Sequence, residues 1–183
     1  MAQSTTQIAL LRAINLAGRN LVAMADLRMC LAECGMIEPR TLLQSGNAIF
    51  RSRTAPAAVE ARLESEARSR WSLAIEVMVR TSAEWAAVID GNPFPKEARN
   101  DPSHLLVMFL KSAPRAAAVQ GLQQQIKDRE LVQAVGRELF VTYPDGVGRS
   151  RLTANVIEKA LGTRGTARNW NTVLKIQALA EQS

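Results

Sequence analysis

Three polar stretches of this 183-residue chain carry side chains that could hold a negatively charged group. The densest is residues 162–175, Gly-Thr-Arg-Gly-Thr-Ala-Arg-Asn-Trp-Asn-Thr-Val-Leu-Lys. The second is residues 144–150, Pro-Asp-Gly-Val-Gly-Arg-Ser. The third is split between Arg12 with Asn15 and Ser45-Gly46-Asn47. Guanidinium and ammonium groups attract phosphate and carboxylate, and amide and hydroxyl groups orient them. Arg12, Asn15, Ser45, Asn47, Arg149, Ser150, Arg168, Asn171 and Lys175 are therefore the candidate ligand-binding residues. The expectation is that they gather at one basic site where two halves of the chain meet. Each also has a plainer use. Ser150 can cap a helix, Asn47 and Asn171 can satisfy nearby backbone, and Arg168 to Lys175 can form a solvated helix stripe.

Other chemistry is excluded by what is missing. His104 is the single histidine, so neither a two-histidine metal site nor a Cys2His2 site can be built. No G-x-S-x-G elbow, phosphate loop or G-x-G-x-x-G fingerprint occurs, and no cofactor is called for. Cys30 and Cys34 are the only cysteines. Four residues apart on a predicted helix, they read as two small buried apolar residues, poorly placed for a disulfide within the helix. Nothing in the sequence activates either as a nucleophile beside His104, which reads as a strand-start residue with a satisfied hydrogen bond. Asp145 is the nearest acidic candidate for a general base, and no catalytic residue is assigned.

The elements that must position these residues follow from periodicity. Short apolar or alternating runs predict strands over 7–13, 41–44, 48–51, 73–80, 105–110, 130–135 and 138–143. Helical spacing predicts helices over 24–34, from Pro56 onward, and over 83–90, 116–126 and 152–161. A last helix is expected from a Thr166 cap through Lys175 toward Ala180. The halves share the order strand, helix, hairpin, helix. The first closes with a strand, giving βαββαβ. In the second the motif helix takes that strand's place. The fold class is thus α+β: duplicated ferredoxin-like units, antiparallel sheets with helices packed on one face. Residues 1–91 form the first unit, 92–102 a Pro- and Gly-marked connector, and 103–183 the second unit.

Apolar residues make up 47% of the chain, enough for a packed core. The net charge is +6. Residues 1–91 hold ten basic and nine acidic side chains, residues 92–183 thirteen and eight, so the excess lies in the second half. Such a surface favours anionic partners. No signal peptide or membrane-spanning run is seen, so a cytoplasmic setting is expected.

Five segments resemble a known bacterial family. They are residues 10–18 (Leu-Leu-Arg-Ala-Ile-Asn-Leu-Ala-Gly), 44–47 (Gln-Ser-Gly-Asn), 92–94 (Asn-Pro-Phe), 143–150 and 166–175. Together and in order they are similar to the domain of unknown function 1697 family. The resemblance implies a pair of ferredoxin-like units and supplies no activity. The first segment departs from the family's usual Arg-Gly-Ile-Asn-Val-Gly-Gly: Ala13 and Ala17 stand where glycines are expected. Alanine resists positive φ, so close approach of a ligand to this backbone is in question.

Three functions remain. The leading one is binding of an anion: a nucleotide, a nucleic acid or a small phosphorylated compound. Against nucleic acid, aromatics are only 4%, with Phe50, Phe140 and Tyr143 as the strand candidates for base stacking. The alternative is a structural or protein-interaction module whose polar motifs lock the halves together. An enzyme ranks behind both. No membrane partner is expected, and the sequence fixes no oligomeric state.

Overall fold

The computed structural model describes residues 3–15 and 18–182. Two compact units emerge: Met1–Ala87 with Lys175–Ser183, and Val88–Leu174. Each holds a four-stranded antiparallel sheet with helices, so the α+β duplicated ferredoxin-like plan is what the chain adopts.

The first unit runs β1 (Thr5–Leu11), α1 (Met24–Glu33), β2 (Ile37–Leu42), β3 (Asn47–Ser52), α2 (Pro56–Trp71) and β4 (Val77–Thr81). Its strand order is β2-β3-β1-β4. Pro56 opens α2 at a position where its missing N–H is no loss. Ala9, Leu11, Ala48, Phe50, Val77 and Val79 meet Leu27, Cys30 and Leu31 of α1 and Val59, Leu63 and Ala67 of α2 in one core. Removing such side chains from water stabilises by roughly 1.5–3 kcal/mol each.

After α3 (Ser82–Asp90) and α4 (Pro95–Asn100), the second unit repeats the plan. It runs β5 (Leu105–Leu110), α5 (Ala116–Gln125), β6 (Leu131–Val135), β7 (Glu138–Thr142), α6 (Ala154–Leu161) and β8 (Gly165–Asn169), and the chain ends in α7 (Trp170–Ala180), whose residues from Lys175 on belong to the first unit. Its strand order is β6-β7-β5-β8. Met108, Leu110, Leu139 and Val141 pack with Leu122, Ile157 and Leu161. Ile8, Leu10, Ile49 and Met78 in the first unit, and Val107, Phe109 and Phe140 in the second, are fully buried as well. Both faces of the central strands are therefore apolar, which is why they read as continuous runs.

Several sequence expectations need correction. Residues 166–169 are not helix but the centre of β8, so the second unit has its sixth element after all. Thr166 is no cap; Asn169 Oδ1 accepts the Thr172 N–H at 3.0 Å and starts α7. The stretch 92–102 is not plain connector, because Pro95–Asn100 is helical. The strand expected over 73–80 begins at Val77, and α6 begins at Ala154 behind a Thr153 cap rather than near Ser150.

The register makes the duplication quantitative. Ile8 pairs with Ile49 and Arg80, and Val107 pairs with Phe140 and Arg168. Arg80 and Arg168 therefore occupy equivalent sites on the last strands. Each donates from Nη1 to the preceding carbonyl, Val79 O at 3.0 Å and Ala167 O at 2.8 Å. Those last strands lie at sheet edges, where N–H groups have no neighbouring strand. Helix carboxylates take them instead. Glu64 accepts from Val77 N at 2.9 Å, Glu60 from Val79 N at 2.7 Å, and Glu158 from Gly165 N at 3.0 Å.

Candidate functional site

In the first unit the candidate residues stitch loops together. Asn15 donates from Nδ2 to Val22 O at 3.0 Å and to Gln44 O at 2.8 Å, and its Oδ1 accepts from Val22 N at 2.8 Å. Asn47, fully buried, donates to Leu42 O at 2.8 Å and to Ser45 Oγ at 3.1 Å. Arg12 lies 3.5 Å from Glu76. Gly46 has φ +74°, and a Cβ there would sit 2.7 Å from Ile14 Cδ1 and 2.9 Å from Leu11 Cβ. Ala13 does adopt the left-handed region, φ 58°, in the place where the family carries glycine. The other departure, Ala17, lies outside the described residues.

In the second unit the loop after β7 is pinned from both ends. The Tyr143 hydroxyl donates to Leu152 O at 2.9 Å. Burial, and then the charge of Glu130, push that phenol up to about 12. The Ser150 hydroxyl donates to the buried Glu130 carboxylate and accepts from Leu152 N at 2.9 Å. Arg129 meets Asp145 at 3.0 Å in an exposed pair. Arg168 is buried on β8 and donates to Thr166 Oγ1 at 2.8 Å. Burial pulls its guanidinium down to about 10, which still leaves it charged at neutral pH.

Arg149, Asn171 and Lys175 differ from these six. All three are exposed and make no side-chain hydrogen bond or ion pair among the described residues. Asn171 and Lys175 are four apart on α7 and so share a helix face. Arg12, Asn15, Ser45, Asn47 and Lys175 belong to the first unit, and Arg149, Ser150, Arg168 and Asn171 to the second. Within the first unit, residues 12–15 and 42–47 are brought together. Within the second, Ser150 stands beside Glu130 and Arg168 is spent inside its own strand.

Two clefts of the second unit flank the pinned loop. One, of about 260 Å³, has Leu122, Ile126, Leu152 and Val156 as apolar walls, Lys127 and Arg151 as cations and Asp128 and Glu130 as carboxylates. Among the described residues neither cation has a hydrogen-bond or ion-pair partner for its side chain. The other, of about 250 Å³, contains His104, Lys96 and Arg129. There His104 Nδ1 meets Asp101 Oδ2 at 2.8 Å, the satisfied bond expected of it, and that contact holds the Asp101 carboxyl below its usual range. Sequence reasoning missed Lys127 and Arg151. Helical spacing around Leu122 and Ile126, and the arginine next to Ser150, were the available clues.

Cys30 and Cys34 are buried, as expected of them. Burial, and next the neighbouring Cys34, push the Cys30 thiol up to about 12, so it is no nucleophile at neutral pH. Among the described residues no helix is long and apolar enough to cross a membrane.

Comparisons with known proteins bear on the fold. No curated protein matches the chain. A solved structure of a conserved bacterial protein from Streptococcus pneumoniae superposes with a TM-score of 0.79 at 20% identity, covering 97% of this chain and 99% of that one. At that identity the likeness concerns architecture alone. The family model for DUF1697, described as a protein of unknown function, matches residues 4–140, a span that stops short of the 143–150 and 166–175 motifs. The chain belongs to the DUF1697 family.

Proposed function

We infer that this protein binds a compact organic anion, with an apolar body and a phosphate or carboxylate group, in the 260 Å³ cleft lined by Lys127 and Arg151. The carrying observation is the pairing of apolar walls with two cations that form no ion pair among the described residues, in a cleft where the Glu130 carboxylate is bonded to Ser150 and Asp128 supplies the other negative charge. Ligand pockets generally combine those features. Arg149 adds a third unpartnered cation on the same loop. A single-stranded nucleic acid fits less well, since Phe50, Phe109, Phe140 and Tyr143 are buried and present no stacking face on the strands. Catalysis has no carrying observation.

A second reading concerns the other candidates. Asn15, Asn47, Ser150 and Arg168 already spend hydrogen bonds on the protein itself. Their role is to hold loops and strands in place, and each unit carries its own set.

A thermal-shift series with sugar phosphates, nucleotides and carboxylates tests the reading. A ligand at 100 times its Kd stabilises by about 2.7 kcal/mol. Arg151→Ala and Lys127→Ala abolish that shift while leaving the unliganded melting point nearly unchanged. A shift that survives both substitutions, or a salt-dependent shift with mixed RNA alone, refutes it.

A further inference from the structure

Two thiols and a carboxylate converge in the first unit. Cys30 lies inside α1 and Cys34 caps its end, with the helical Cys34 N–H to Cys30 O bond intact at 3.0 Å. Glu66 comes from α2. One ligand atom from each residue lies within 4.8 Å of the other two. Both cysteines are buried and Glu66 is half-buried. Arg70 donates from Nε to Glu66 Oε2 at 2.7 Å and also reaches Glu33, and those two bonds raise its already high pKa.

We propose that Cys30, Cys34 and Glu66 form a binding site for a thiophilic divalent cation of the zinc type, with Arg70 orienting the carboxylate. Thiolate sulfurs lie about 2.3 Å from zinc and carboxylate oxygens about 2.0–2.2 Å, so tetrahedral ligand atoms stand roughly 3.5–3.8 Å apart. The observed atoms lie within 4.8 Å of one another, so forming the site requires them to close up by about 1 Å. Two thiolates and the Glu66 carboxylate carry three negative charges against the cation's two, and Arg70, which Glu66 shares with Glu33, offsets part of the remainder. A cation that coordinates a thiol deprotonates it outright, which is how Cys30 would lose the proton that burial holds on it. Three protein ligands leave the fourth position to water.

Cadmium titration of the reduced full-length protein tests this, with a phosphine rather than a thiol as reductant. Because the chain has only two cysteines, any thiolate-to-cadmium ultraviolet band reports this site. The expected result is a band saturating at one ion per chain, competed by zinc. Cys34→Ser loses most of its intensity, and Glu66→Gln weakens affinity at least tenfold at unchanged fold, checked by circular dichroism. No band in the wild-type protein overturns the proposal. So does affinity in Glu66→Gln equal to wild type, which leaves two thiols without the third ligand.

Discussion

The two units share a plan and differ in how tightly their loops are tied to it. In the first, the hairpin glycine Gly46 is wedged against Ile14 and Leu11. In the second, Gly136 holds the hairpin turn at φ +59°, and the nearest atom to a Cβ there is Glu138 Oε2 at 3.6 Å. The first unit therefore uses its hairpin as a clamp on residues 11–22, with Asn15 as the rivet. The second hairpin keeps the matching backbone bond, Leu110 N to Arg137 O at 2.9 Å, but has nothing packed tightly under its glycine, and the connection over residues 143–152 is pinned through Tyr143 and Ser150. That second arrangement leaves a cleft beside the loop. The lesson is that a duplicated fold can pack a turn glycine tightly in one copy and leave the same glycine uncrowded in the other.

Substitutions at matched positions sharpen the contrast. The largest difference is expected at the hairpins. Gly46→Ala combines left-handed strain with overpacking and destabilises by about 3 kcal/mol, whereas Gly136→Ala bears the strain alone, about 1 kcal/mol. Urea unfolding of both variants reads this directly, and equal midpoints would dissolve the distinction. Next come the edge carboxylates. Glu158 is buried and accepts from both Gly165 N and Arg164, so Glu158→Ala costs about 2 kcal/mol. Glu64 is less buried, and Glu64→Ala costs about 1 kcal/mol. If the order reverses, the caps are not equivalent devices.

Tyr143 has no aromatic counterpart; Ser52 occupies the matching register position. The phenol's pKa in the fold, about 12, lies above its ordinary value of 10. The folded state thus holds the proton more firmly than the unfolded state. Its stabilising contribution is complete below pH 10 and is lost as pH rises through about 12. Tyr143→Phe forfeits the bond to Leu152 O, about 1 kcal/mol at neutral pH, and flattens the fall in stability between those values. A pH series of melting curves decides it. The smallest effect is at Ala13, whose φ of 58° strains an L residue. Ala13→Gly relieves roughly 1–2 kcal/mol of strain against a chain-entropy penalty of roughly 0.5–1 kcal/mol, a net gain of about 0.5 kcal/mol in the same assay.

Most of the fold was legible because its strands are strongly apolar and its helices keep their spacing. β8 was not. Gly165-Thr-Ala-Arg-Asn offers no apolar alternation, and the helical period that truly starts at Trp170 extends backward through it. The glycine is there because Leu110 and Met108 fill the space a Cβ would need. Arg168 misled for a related reason: a charged residue beside a helix face reads as solvated, and its burial depends on a strand pairing that the local pattern hides. The candidate site was legible as residue types and not as roles. Asn15 bonds Gln44 and Ser150 bonds Glu130, partners 29 and 20 residues away. Glu66 is likewise invisible from Cys30, since only the packing of α1 on α2 unites them.

The carboxylates along β4 and β8 have one more consequence. A strand with idle amides invites a foreign chain to lie alongside and lengthen the sheet. Here the amides of Val77, Val79 and Gly165 are already occupied by the helix that covers them. The molecule carries its own terminators on these rims, which bars runaway polymerisation there without proline, lysine or a bulge. Replacing Glu60, Glu64 and Glu158 together by alanine would remove those stoppers and expose a template for fibre growth.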